Sequence, residues 1–208
     1  MGIIFRKRKK VIDVDLKELR KMSRDLAKTV QKNGFEPEHI LYVERAGLLV
    51  GFEMAAFFQC GISGIVSQRS GSSTKSKFKF ILRLLPRFVT HFLRQLELKS
   101  NIHGIKKERR ISCENEMPPR GKRILLVDDA LDTGHSLVAV LDFLKTRGYS
   151  RKDIRVAVLT TTGATPALRA DFSLLDQIVC AFPWSYDSRQ YVETQGVYHT
   201  EKYVLSIF

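Results

Sequence analysis

Arg123-Ile-Leu-Leu-Val-Asp-Asp-Ala-Leu-Asp-Thr-Gly-His-Ser136 is the most informative stretch of the chain. Its unbroken apolar run up to Val127 has the pattern of a parallel strand buried on both faces. Two acids, Asp128 and Asp129, follow at once, and a Thr-Gly-Ser loop leads into a helix. Leu137, Val138, Leu141 and Leu144 share one face of that helix, and Gly148 marks its stop. Ile154–Leu159 is the next apolar strand. Strand, helix and strand at this spacing predict a right-handed βαβ unit.

Upstream, Leu16, Leu19, Met22, Leu26, Ala27 and Val30 recur at helical spacing from Asp15 to Lys32, and Gly34 stands where that helix should end. A short strand follows at 39–43, then Glu44-Arg-Ala-Gly47, a helix to about Phe58 and a strand at 62–68. Together these elements predict the α/β class, with a mostly parallel central sheet flanked by helices. The 208 residues suit one domain, 1–208, with a substantial core. Between residues 70 and 119 the order breaks down into a Gly/Ser stretch, a strongly basic segment and Pro118-Pro119, read as an insertion or mobile loop region.

Net charge is +13, which favours anionic partners: phosphorylated metabolites, nucleic acid or anionic lipid. Cys60, Cys113 and Cys180 are far apart and in no metal-ligand spacing, the pattern of free thiols in a reducing cytoplasm. The apolar N-terminus before the basic run Arg6–Lys10 is too short for a signal peptide, and no run has the length of a membrane span. A cytoplasmic protein is expected.

The loop's chemistry can be read from its residue types. Ligands of open α/β sheets bind beyond the carboxyl ends of the strands. A Thr-Gly-x-Ser turn running into a helix presents N–H groups and hydroxyls to an anion, and the helix dipole adds roughly 0.3–1 kcal/mol. Gly134 permits a tight turn and a close approach. Two adjacent carboxylates would repel a phosphate beside them but suit sugar hydroxyls or a hydrated Mg²⁺. Phosphate at one end and diol with metal at the other describe a ribose 5-phosphate. The competing readings are acids that merely cap a loop, or the metal cluster of a receiver domain. A receiver also wants a separate phosphoacceptor aspartate at another strand end, which is not found.

Residues 124–137 resemble the signature of type I phosphoribosyltransferases, which bind 5-phosphoribosyl-1-pyrophosphate (PRPP). The shared pattern is an apolar strand, two acids, two apolar residues and Asp-Thr-Gly-x-Ser/Thr. The resemblance implies that Asp128 and Asp129 hold the ribose hydroxyls and Mg²⁺, and that Asp132, Thr133, Gly134, His135 and Ser136 bind the 5′-phosphate. It further implies that Asp132 acts as general acid/base. Tyr42–Val50 resembles the family's pyrophosphate loop, so that Arg45, Ala46 and Gly47 would meet pyrophosphate, Arg45 with a catalytic role. Ala46 stands where glycine is usual.

Asp176–Trp184, ending Phe-Pro-Trp, resembles the hood of the xanthine/guanine/hypoxanthine (6-oxopurine) branch, placing a hood at about 163–190 with Phe182 and Trp184 against a flat base. Val179 stands where many members have Trp or Phe, and Thr161 where they have a Lys that reads the purine. Phe182 and Trp184 closing the core is the competing reading. The resemblance implies a Mg²⁺-dependent transfer of phosphoribose from PRPP to a purine-like base, by a homodimer. The altered base-reading positions leave a non-catalytic PRPP sensor, acting on nucleic acid or otherwise regulatory, as the alternative. Within the insertion, residues 78–96 form a basic amphipathic pattern interrupted by Pro86. Packing on a partner, contact with anionic membrane and, ranked behind them, nucleic acid stay open for it.

Overall fold

The computed structural model describes residues 11–44, 46–69, 109–113, 116–163 and 166–185. The amphipathic stretch 78–96, the basic arm 6–10, Arg45 and the ends of the hood lie outside the described residues. The chain divides into two compact units, Met1–Val66 with Ile111–Phe208, and Ser67–Arg110. The second unit falls mostly outside the described residues.

In order, the elements are β1 (Val11–Asp13), α1 (Leu16–Lys32), β2 (His39–Glu44), α2 (Gly47–Phe58), β3 (Gly61–Arg69), β4 (Arg109–Cys113), β5 (Ile124–Leu131), α3 (His135–Thr146), β6 (Ile154–Thr161), β7 (Phe172–Asp176) and β8 (Val179–Ala181). A 3₁₀ turn at Arg151–Asp153 leads into β6. Six strands form one sheet in the order β4-β3-β2-β5-β6-β7, while β1 and β8 pair separately. From β3 to β7 every neighbouring pair is parallel.

Strand parity explains the two cores. Leu125, Val127, Ala157 and Leu159 face α1 and α2, packing with Leu26, Val30, Val50 and Met54. Ile124, Leu126, Ile154, Val156 and Val158 face the other way, against Leu137, Val140 and Leu144 of α3. A strand buried on both faces needs this continuous apolar run, and each fully buried Leu or Ile contributes about 1.5–3 kcal/mol.

Sequence order and strand order part company at one place. From β2 the chain crosses through α2 to β3 on one side; from β5 it crosses through α3 to β6 on the other. The switch point therefore lies between β2 and β5, where an open α/β sheet leaves a crevice for a ligand. The two ladders of β5 end at different places. Pairing of β2 with β5 is registered from His39↔Ile124 to Tyr42↔Val127, whereas β5 and β6 stay paired to Leu131↔Thr161. The acids expected in a loop after the strand are thus inside it, and the loop itself is shortened to residues 132–134, because β6 continues to supply partners.

Packing of α2 on this edge depends on small residues. An ideal Cβ on Gly51 would stand 2.9 Å from Tyr42 Cβ, and one on Gly47 would stand 2.8 Å from the Val127 carbonyl oxygen. Gly51→Ala gains about 1 kcal/mol of helix propensity, but overpacking against a main-chain-proximal atom costs about 1–3 kcal/mol. We expect a net loss of roughly 1–2 kcal/mol, read as a lower urea midpoint with an unchanged slope.

Candidate functional site

Three helices compare instructively at their N-termini. α1 is capped by a side chain: Asp15 Oδ1 accepts from the Glu18 amide at 2.6 Å. α2, with Ala46 at its cap position, and α3, with Gly134, have no side-chain cap. Both of these begin at the carboxyl edge of the sheet, on either side of the switch point. First-turn amides without a side-chain cap are suited to an anion. Gly134 is held at φ 74°, a left-handed conformation that costs a residue with a Cβ about 1 kcal/mol or more. It starts α3 directly from Thr133, whose carbonyl accepts from the Ala167 amide at 2.9 Å.

The Asp132 loop is pinned to the end of β6. The Thr162 amide donates to Leu131 O at 2.8 Å, and Thr162 Oγ1 donates to Asp132 Oδ1 at 3.1 Å. Gly163 fits because a Cβ there would lie 1.8 Å from the Asp132 carbonyl oxygen. Thr162 and Gly163 were not singled out in the sequence, although a glycine directly after a buried strand is the signal of such a close approach. Asp132, Thr133 and His135 are exposed, and Ser136 is half-buried.

Asp128 is 9% exposed, and Asp129 is half-buried beside it. Asp128 Oδ1 accepts from the Asp129 amide at 3.0 Å, and Asp129 Oδ1 accepts from the Ala130 amide at 2.7 Å. Asp129 Oδ2 accepts from Trp184 Nε1 at 3.0 Å. Burial, with the Asp129 charge behind it, pushes the Asp128 carboxyl well above the usual carboxylate range. Burial also raises Asp129, against the pull of the Trp184 N–H and neighbouring hydrogen bonds. The chain holds two adjacent carboxyl groups largely out of water, with no lysine or arginine among the described residues to offset them.

That donor set fits Mg²⁺ of one particular kind. Among the described residues no group of three His, Cys, Asp or Glu could cage a metal. One or two carboxylates suffice, however, for a hydrated Mg²⁺ whose other ligands are water and substrate oxygens.

At the expected hood positions, Phe182 follows the competing, core-closing reading. Phe182 is 2% exposed and belongs to the α1–α2 core, so it closes that core and offers no open face to a base. Trp184 stacks on it, with centroids 5.2 Å apart and planes at 15°. Thr161 Oγ1 donates to Asp176 Oδ1 and accepts from the Gln177 amide at 3.4 Å, so its hydroxyl is engaged within the fold. Val179 is half-buried and pairs with Val11 of β1. Ala46 and Gly47 do reach the site edge: a Gly47 Cβ would stand 3.5 Å from Asp128 Cα.

By its fold the protein is of the class of open α/β domains that take a ligand where the strand order turns. It belongs to the phosphoribosyl transferase domain family, whose sequence model matches residues 15–189. A uracil phosphoribosyltransferase of Nicotiana tabacum is 40% identical over 58 residues, covering 26% of this chain and 25% of that protein. The match thus spans about a quarter of that relative's length. The xanthine-guanine-hypoxanthine phosphoribosyltransferase of Helicobacter pylori shares the fold with TM-score 0.60 at 18% identity, covering 90% of this chain and 99% of that one. The purine phosphoribosyltransferase of Pyrococcus horikoshii does so with TM-score 0.57 at 17% identity, over 84% and 93%.

The raised carboxyls make a stability prediction. Asp128 binds its proton more tightly folded than unfolded, so between the two pKa values stability falls as pH rises. Asp128→Asn keeps an acceptor for the Asp129 amide and removes the charge. It should raise Tm at pH 7, by about 2–4 °C for each kcal/mol relieved, and the gain should vanish below the ordinary Asp range. Paired melts at pH 7 and pH 3.5 or below check this.

Proposed function

We propose that the protein is a phosphoribosyltransferase that moves the 5-phosphoribosyl group from PRPP to a ring nitrogen of a purine-like base. The observation that carries the reading is the convergence, at one switch point, of an adjacent carboxylate pair with the uncapped N-terminus of α3. The amides of Thr133–Ser136 receive the 5′-phosphate, aided by the α3 dipole. Asp128 and Asp129 accept the ribose hydroxyls and fix C1 in the crevice. The α2 N-terminus at Ala46 and Gly47 faces the pyrophosphate, with Arg45 beside it in sequence.

In the reaction the bond from C1 to the pyrophosphate oxygen breaks, and its electrons leave with pyrophosphate. The base nitrogen bonds to C1, and the proton that nitrogen sheds passes to the Asp132 carboxylate. Mg²⁺, when bound, neutralises charge developing on the leaving pyrophosphate. Asp132 suits proton transfer because it is exposed at the crevice edge and oriented by the Thr162 hydroxyl. Such general base assistance is typically worth about 10²–10⁴-fold.

The fold neighbours named for purines support a purine-like acceptor. The tobacco relative named for uracil makes a pyrimidine the competing acceptor. A second reading, a PRPP sensor without transferase activity, is favoured by the engaged Thr161 hydroxyl and buried Phe182. A screen of PRPP-dependent pyrophosphate release across nucleobases tests both. Release with a purine supports the proposal; PRPP binding with no release from any base overturns it in favour of the sensor. For the catalytic assignment, Asp132→Asn should lower kcat about 10²–10⁴-fold and leave PRPP affinity within a few-fold. Steady-state kinetics with titration calorimetry separates the two, and an unchanged kcat would remove Asp132 from the proton transfer.

A further inference from the structure

We infer that Trp184 is a positioning residue for the sugar site: its indole N–H fixes the Asp129 carboxylate in the orientation that receives the ribose diol, and thereby ties the hood to the sugar. The inference rests on the functional reading above and assigns Trp184 a task other than stacking on the base. Trp184 is the only tryptophan in the chain. Its Nε1 donates to Asp129 Oδ2 at 3.0 Å, across a sequence separation of 55 residues.

The indole cannot easily turn away from this bond. One ring face lies on Phe182 at 5.2 Å, and Phe182 is itself locked in the core at 2% exposure. The segment leading to Trp184 is held as well. Thr160 Oγ1 donates to Ile178 O at 2.6 Å, and β8 then pairs in parallel with β1. Asp129 therefore has each oxygen anchored by one N–H, Oδ1 from Ala130 at 2.7 Å and Oδ2 from Trp184. An ionised carboxylate has about four lone-pair sites. The Asp128 side chain bonds to Asp129 as well, so acceptor capacity remains for one sugar hydroxyl, with Asp128 beside it for the second hydroxyl of a diol.

A phenylalanine would fill most of the same space; what the tryptophan adds is the donor. Its bond holds Asp129 Oδ2 against a ring that Phe182 keeps in place. The Asp128 side chain also bonds to Asp129, but it is the adjacent residue on β5, whereas the indole reaches Asp129 from the 179–184 segment.

Calorimetry of PRPP with MgCl₂ on wild type, Trp184→Phe, Trp184→His, Asp129→Asn and the Phe/Asn double variant tests the assignment. Trp184→Phe should bind PRPP about tenfold more weakly. Trp184→His, which keeps an N–H, should recover most of the affinity. The double variant should bind no more weakly than Asp129→Asn alone, since the two act through one contact. Equal affinity in Trp184→Phe, or losses that add in the double variant, overturn the role. In the wild type, which needs no substitution to fold, PRPP should shift the single indole Nε1–H resonance; binding without a shift also overturns it. If wild-type protein gives neither heat nor shift, the PRPP reading fails and this role with it. Wild-type binding with an indifferent Trp184→Phe sinks the role alone.

Discussion

The parting of β2 from β5 beyond Val127 is the constraint on which the site depends. Up to Tyr42↔Val127 both edges of β5 are paired; beyond it only the β6 edge is. A strand paired on one side keeps its backbone rigid while the other side opens, so Asp128 and Asp129 are held as firmly as sheet residues yet border a crevice. A flexible loop carrying the same acids would have to be ordered on binding, at about 1–2 kcal/mol per residue. The segments that flank the opening need close approaches, Gly47 of α2 at Val127 O and Gly163, just after β6, at Asp132 O. Small residues therefore stand where the ladder ends, and the geometry of the ligand site is set by backbone contacts more than by side chains.

The same opening carries an electrostatic cost. Two adjacent carboxylates taken out of water repel each other and lose hydration, and no cation among the described residues compensates them. A stability-optimised sheet would place amides or hydroxyls there. A free energy debit confined to one crevice, in a sheet otherwise packed on both faces, is what a preorganised binding site costs. The hydrogen bonds from Asp129 N, Ala130 N and Trp184 Nε1 reduce the cost without removing the acceptor capacity a diol needs.

Much of this was legible in the sequence because the informative features are local. The apolar run 124–127, the α1 periodicity and the glycines after α1 and α3 each report one element, and β2, β3, β5, β6 and the three helices fall within a few residues of expectation, whereas β1, β4, β7 and β8 were not expected. The end of β5 was not legible. Asp128 and Asp129 look like a loop because acids are poor strand residues, yet β6 supplies the ladder that extends the strand through them. β1, β4 and β8 are short, and their apolar runs give no period to read. Thr162, Gly163 and the Asp176–Thr161 contact were missed because they gain meaning only from neighbours distant in sequence.

The Phe-Pro-Trp segment shows how one motif can divide between two tasks. Aromatic residues near a nucleobase site suggest stacking, and the residue types alone cannot separate that from packing. The coordinates separate the two rings: Phe182 is spent on the core, and that expenditure fixes the indole beside it. A rigid indole with its N–H on a carboxylate is more useful as a strut than as a stacking plate, since a plate must yield as bases enter and leave. One bond of 3.0 Å ties the 179–184 segment to the end of β5, across 55 residues of sequence. On the function proposed above, that bond would hold the sugar-binding carboxylate in place from a segment outside the main sheet.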